Sequence, residues 1–163
     1  MNPSSQNSSY PPFRPSLDGC VGRDLRLARM LTDCYLNELY AHAANTYRSL
    51  LCEKGERTLS DLFDELAADE NEHFRLLGGL ILALGGDPMI RTQLGVGGNI
   101  TACDGRWGMR MLDDALCEKK KMIDRYQTVM GHTQDRVVRS VLLYLLENEE
   151  RHVERLQRAG NKD

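Results

Sequence analysis

Apolar residues recur along most of the chain in steps of three and four, the period of a helix that buries one face. The clearest stripe reads Leu59, Phe63, Leu66, Glu70, His73, Leu77, Leu80, Leu84, and a second reads Val138, Leu142, Leu145, Glu149, His152, Leu156. Two fainter stripes read Leu27, Leu31, Cys34, Glu38, Ala41, Asn45 and Met111, Ala115, Glu118, Met122, Tyr126. These predict helices from Asp24 to Cys52, from Thr58 as N-cap to Leu84, from Arg106 to Met130, and from just after Thr133 to Gly160. Each ends on a stop signal: Lys54-Gly55, Gly85-Gly86-Asp87-Pro88, Gly131 and Gly160. No segment alternates with period two, so the expected class is all-α, a four-helix bundle.

The connections refine the architecture. About 20 residues containing Gly95, Gly97, Gly98 and Gly105 separate the second and third helices, which is long for a compact domain. A bundle whose second and third helices run the same way needs such a crossover. Helices of about 25 residues are about 38 Å long, and an extended linker of this size reaches about 65 Å. Residues 1–21, rich in proline and serine, cannot bury enough apolar surface to offset their ordering entropy, and predict a disordered tail before a domain at 22–160.

Composition narrows the setting. A net charge of −3 gives no attraction to nucleic acid or to an anionic membrane, so neither partner is expected. No apolar run is long enough to span a bilayer, and no basic-then-apolar start marks a secretory signal. Cys20, Cys34, Cys52, Cys103 and Cys117 form no C-x-x-C pair, which argues against a zinc ribbon or a rubredoxin-type iron site. Scattered free thiols suit a reducing cytoplasm, with Cys34 and Cys117 expected as small core residues.

The chemistry lies in what interrupts the stripes. Glu70 with His73, and Glu149 with His152, form two E-x-x-H pairs inside otherwise apolar faces, and Glu38 and Glu118 fall on the stripes of the other two helices. Residue 54 lies midway between Glu38 and Glu70, and the midpoint of Glu118 and Glu149 falls between His132 and Thr133. Both midpoints fall in turns, so each antiparallel hairpin brings its two glutamates level. A single E-x-x-H also occurs on solvated faces; two in apolar stripes, with a stripe glutamate on each remaining helix, are far more specific. Four carboxylates in an apolar core stay ionised only when cations balance them. Two divalent ions would do so, with one imidazole nitrogen each from His73 and His152. Oxygen and nitrogen donors without thiolate suit iron or manganese. Glu72, Glu147, Glu150 and His132 are expected at the surface and His42 as a partly buried non-ligand. Tyr47 and Tyr126 are packing residues that could also serve as donors beside the site.

Glu on helix one, E-x-x-H on two, Glu on three and E-x-x-H on four resembles the ferritin-like di-metal carboxylate proteins. Asn37-Glu38-Leu39, Asp69-Glu70-Asn71-Glu72-His73 and Asn148-Glu149-Glu150-Arg151-His152 are similar to bacterioferritin and rubrerythrin motifs. Residues 76–88, LLGGLILALGGDP, resemble small manganese-catalase-like and spore-coat catalase-like proteins. The resemblance implies Glu38, Glu70, His73, Glu118, Glu149 and His152 as metal ligands and catalytic residues. It also implies an oxidoreductase acting on oxygen, peroxide or ferrous iron (catalase-like or ferroxidase-like), assembled as a homodimer or larger homo-oligomer. Asp69 would orient His152, while Asn148 holds the matching place toward His73. Lys121 stands where rubrerythrins carry a further carboxylate, a departure from their pattern. A non-catalytic spore-coat or shell-cargo protein that keeps the bundle is the alternative.

Overall fold

The computed structural model describes residues 14–19, 22–53, 55–88 and 107–161. The expected crossover with its glycines, most of the expected N-terminal tail, Lys54, Cys20 and Cys103 lie outside the described residues. Four helices follow one another: α1 (Leu25–Cys52), α2 (Arg57–Ala83), α3 (Trp107–Met130) and α4 (Arg136–Gly160). No strand occurs among the described residues. α1 pairs with α2 and α3 with α4, and the hairpins join through α1 on α3 and α2 on α4, making a four-helix bundle.

Local chemistry sets the helix ends. The Asp24 carboxylate accepts from Leu27 N–H and the Asp135 carboxylate from Val138 N–H, each at 2.9 Å, satisfying donors that a first helical turn leaves unpaired. Asp135 therefore caps α4, just after Thr133, whose hydroxyl accepts from Asp135 N–H. α2 starts one residue before Thr58, with Glu56 in the cap position. At its far end Gly86 N–H donates to Ile81 O and Gly85 N–H to Leu82 O, both 2.9 Å, with Gly85 at φ 79°. This paired closure needs a left-handed residue, which glycine supplies without a Cβ clash. Asp24 N–H then donates to Leu84 O, so the start of α1 is tied to the end of α2. Residues 14–19 are non-helical, and Leu17 packs against the core beside Gly79.

The core is layered along the bundle axis. Leu27, Leu31, Cys34, Leu77, Leu80, Met122, Tyr126, Val138, Leu142 and Leu145 belong to one apolar cluster. Cys52, Phe63, Leu66, Leu112, Ala115 and Leu156 form a second. Between them lies a layer of buried ionisable groups: Glu38, Glu70, His73, Lys119, Glu149 and His152.

The expected stripes of α1 and α4 are buried throughout, and that of α2 is buried apart from half-buried Leu59. α3 is turned relative to its expected stripe. Its buried positions are Gly108, Leu112, Ala115, Lys119, Met122, Tyr126 and Val129, an unbroken alternation of steps of four and three. Met111 and Glu118 are only half-buried. Cys117, two residues from both Ala115 and Lys119, points to solvent and is not the core thiol expected, whereas Cys34 and Cys52 are buried.

Candidate metal centre

The middle layer converges on one spot. His73 Nδ1 lies 3.5 Å from Glu38 Oε1, 3.4 Å from Glu70 Oε2 and 3.3 Å from Glu149 Oε1. His152 Nδ1 lies 3.4 Å from Glu70 Oε1 and 3.5 Å from Glu149 Oε1. The two imidazoles stack with centroids 5.7 Å apart. Glu38, Glu70 and Glu149 are fully buried, and both histidines are 2% exposed. The E-x-x-H spacing explains the convergence: residues three apart share a helix face, so each pair sends carboxylate and imidazole inward together.

Glu118 is the exception. It lies across from Arg48, whose guanidinium donates to Glu118 Oε1 at 2.7 Å and to Oε2 at 2.9 Å, while also donating to Asn45. The expected ligand set is therefore corrected at this position: Glu118 is outside the centre. Its neighbour Lys119 occupies the place instead, 2% exposed, donating to Glu70 Oε1 and lying 3.0 Å from Glu149 Oε2. Replacing Glu118 by Ala is accordingly expected to change metal affinity less than about three-fold. It should cost about 1–2 kcal/mol of stability, because Arg48 is largely buried and loses a bidentate partner. Metal titration and chemical denaturation of that variant check both.

The surroundings fix the ligand orientations. His152 Nε2 is 3.0 Å from Asp69 Oδ2, the contact expected of Asp69, and Asp69 continues to Arg155 at 3.8 Å and from there to Glu65. Asn148 donates to Tyr144 O and accepts from Arg151, so its amide is engaged within α4. Tyr126, fully buried, donates to Glu38 Oε1. Tyr47 is 43% exposed and takes no such place. His42 is half-buried with Nδ1 on Ala67 O, and His132, Glu72, Glu147 and Glu150 are exposed.

Electrostatics divide the groups. Burial, reinforced by the charges of Glu70 and Glu149, pushes the Glu38 carboxyl up to about 8. Burial opposes ionisation of Glu70, yet the Lys119 ammonium together with hydrogen bonds from Glu38, His152 and His73 outweighs it and holds Glu70 well below the carboxylate range. For Glu149, burial and the Glu70 charge are overcome by Lys119 and the two histidines, which bring it down to about 2. Burial opposes the charged form of both imidazoles, but Glu38, Glu149 and Glu70 together raise His73, and Asp69, Glu149 and Glu70 together raise His152 to about 10. Burial and the charge of Glu38 raise Tyr126, keeping its hydroxyl a donor.

A metal ion fits this chemistry. Glu38 Oε2, Glu70 Oε2, His73 Nδ1, Glu149 Oε1 and His152 Nδ1 are buried without a hydrogen-bond partner. Such orphaned atoms are costly unless something binds them. Ligand atoms of Glu38, Glu70, His73 and Glu149 all lie within 4.8 Å of one another. Carboxylate and imidazole donors without thiolate are those of iron or manganese sites.

An all-α bundle with carboxylates and imidazoles gathered between two apolar layers defines the class. The chain belongs to the ferritin-like domain family, whose model matches residues 28–162. No curated protein is similar enough to add a named relative. Among the described residues, no helix is long and apolar enough to cross a membrane.

Proposed function

We propose that this protein is a metal-dependent oxidoreductase acting on peroxide, oxygen or ferrous iron through iron or manganese held at the buried centre. The carrying observation is the group of buried, unpartnered oxygen and nitrogen atoms on Glu38, Glu70, His73, Glu149 and His152 that face one another between two apolar layers. Bound there, the ion would supply one-electron redox change beside the substrate. The chain does the remainder. Glu38, Glu70, His73 and Glu149 hold the ion, with His152 beside them. Leucine layers above and below keep bulk water away. Tyr126 fixes Glu38 by hydrogen bonding, and Asp69 fixes His152 through its second nitrogen, holding the tautomer that leaves Nδ1 inward. Ferrous iron, in the ferroxidase version, is substrate as well as occupant.

The reading keeps a cytoplasmic setting without nucleic-acid or membrane partners, and a homodimer or larger homo-oligomer. Tyr40, Tyr47 and Leu51, exposed along one face of α1, offer such an assembly a surface. Lys119 favours a second reading. Its ammonium already pairs two of the carboxylates, so a non-catalytic bundle (a coat or cargo component) could keep them as an internal ion network. Peroxide decay and ferrous oxidation by protein loaded with manganese or iron separate the two. Turnover lost in Glu149→Gln supports the oxidoreductase; loaded protein inert to both substrates overturns it in favour of the structural role.

A further inference from the structure

We propose that Lys119 takes the place of one metal ion, so that the centre binds a single divalent cation on its His73 side. This rests on the metal-binding reading above and deepens it by assigning the number of ions and their position.

The two halves of the centre are unequal. On one side Glu38, Glu70 Oε2, His73 Nδ1 and Glu149 Oε1 face one another, with Glu38 Oε2 and His73 Nδ1 buried and unpartnered. On the other side the Lys119 ammonium contacts Glu70 Oε1 and Glu149 Oε2, the atoms a second ion would need alongside His152. The compact four-ligand group accordingly contains His73 and omits His152.

Charge reaches the same answer. Glu38, Glu70 and Glu149 bring three negative charges and Lys119 one positive, so one divalent ion neutralises the set. A second would leave two uncompensated positive charges in a layer closed by leucine, which is prohibitive without further anions. Glu118, the residue that could have supplied one, is held away by Arg48. Asp69 already faces His152 and Arg155. Lys119 is too buried to be an ordinary surface lysine whose tip strays, since a solvated ammonium would keep its head in water.

The test is stoichiometric and spectroscopic. The full chain is titrated with manganese(II) by calorimetry, and the bound ion is read by electron paramagnetic resonance. One ion per chain with the six-line signal of an isolated manganese(II) is expected. Two ions per chain with an exchange-coupled signal would overturn the assignment and leave the metal-binding reading standing. No binding at all would overturn both. Lys119→Glu is expected to raise the stoichiometry from one to two; a folded variant that still takes one ion counts against Lys119 as the excluding group. Lys119→Met, which removes the like charge at similar volume, is expected to tighten the first ion about ten-fold or more. Unchanged or weaker binding in a folded Lys119→Met protein argues against it equally.

Discussion

Glu70→Gln is expected to lower metal affinity by more than about 100-fold and to destabilise the metal-free protein by about 3–5 kcal/mol. Glu70 presents Oε2 to His73, Oε1 to His152, and accepts from Lys119, all within the buried middle layer. An amide of the same shape keeps the packing but removes the charge. Lys119 would retain Glu149 alone, and both imidazoles would lose a carboxylate. Breaking one side of a buried ion pair leaves the other desolvated and unmatched, which is why the loss exceeds that of a surface pair several-fold. Manganese titration reads the first quantity and urea denaturation of chelated protein the second. Glu72→Gln, changed at an exposed position two residues away, serves as the reference and should leave both nearly unaltered. Equal behaviour of the two variants would remove Glu70 from the centre.

The second large effect is a crossing of pH dependences. In the metal-free fold His152 is raised to about 10, because Asp69, Glu149 and Glu70 outweigh the burial that disfavours its charged form. The stability it contributes is complete below its open-chain value of 6.5 and is lost as pH climbs toward 10. Glu38 acts in the same direction. Burial lifts it to about 8, so the folded core keeps a proton that the open chain sheds above 4.5, and rising pH favours unfolding across that interval. Glu149 runs the other way, but its depressed value places its whole effect below 4.5. The chelated protein should therefore melt at progressively lower temperature as pH rises from about 6 to about 9. Metal uptake has the opposite slope, because Glu38 and His73 must give up protons to bind a cation. The melting-temperature gain on adding manganese should be small near pH 6 and grow steadily toward pH 9, with protons released into a weak buffer. A gain independent of pH would place the ion on other groups.

These expectations depend on an α3 orientation that the sequence left open. In α2 and α4 the ionisable pairs sit in leucine frames, and one reading of the face is possible. α3 has fewer large apolar residues, and an acidic residue beside a lysine run makes Glu118 the apparent inward group. The hairpin midpoint does not separate 118 from 119: the two differ by about 1.5 Å in height but by about 100° around the axis. What could have separated them is periodicity. Stepping back from Tyr126 and Met122 in strict alternation lands on Lys119, Ala115 and Leu112, all buried, whereas the stripe through Glu118 needs two consecutive steps of four. A lysine ordinarily keeps its ammonium in water, which masks that signal at position 119. Arg48 is silent in the sequence for a similar reason, since nothing local distinguishes it from a surface arginine. Its role as the residue that draws Glu118 aside exists only once α1 and α3 are packed. The contact between Asp69 and His152, which spans two helices, was legible through the resemblance, which implies that an Asp just before the motif glutamate orients the histidine of the opposite helix.

The chain of contacts from His152 through Asp69 and Arg155 to Glu65 runs outward across the bundle. Asp69 is nearly enclosed, whereas the Glu65 side chain is 64% exposed. Through Arg155 this row of charged groups ties an imidazole of the enclosed layer to a carboxylate in water, so a change of charge at the centre is felt at the molecular surface along fixed contacts.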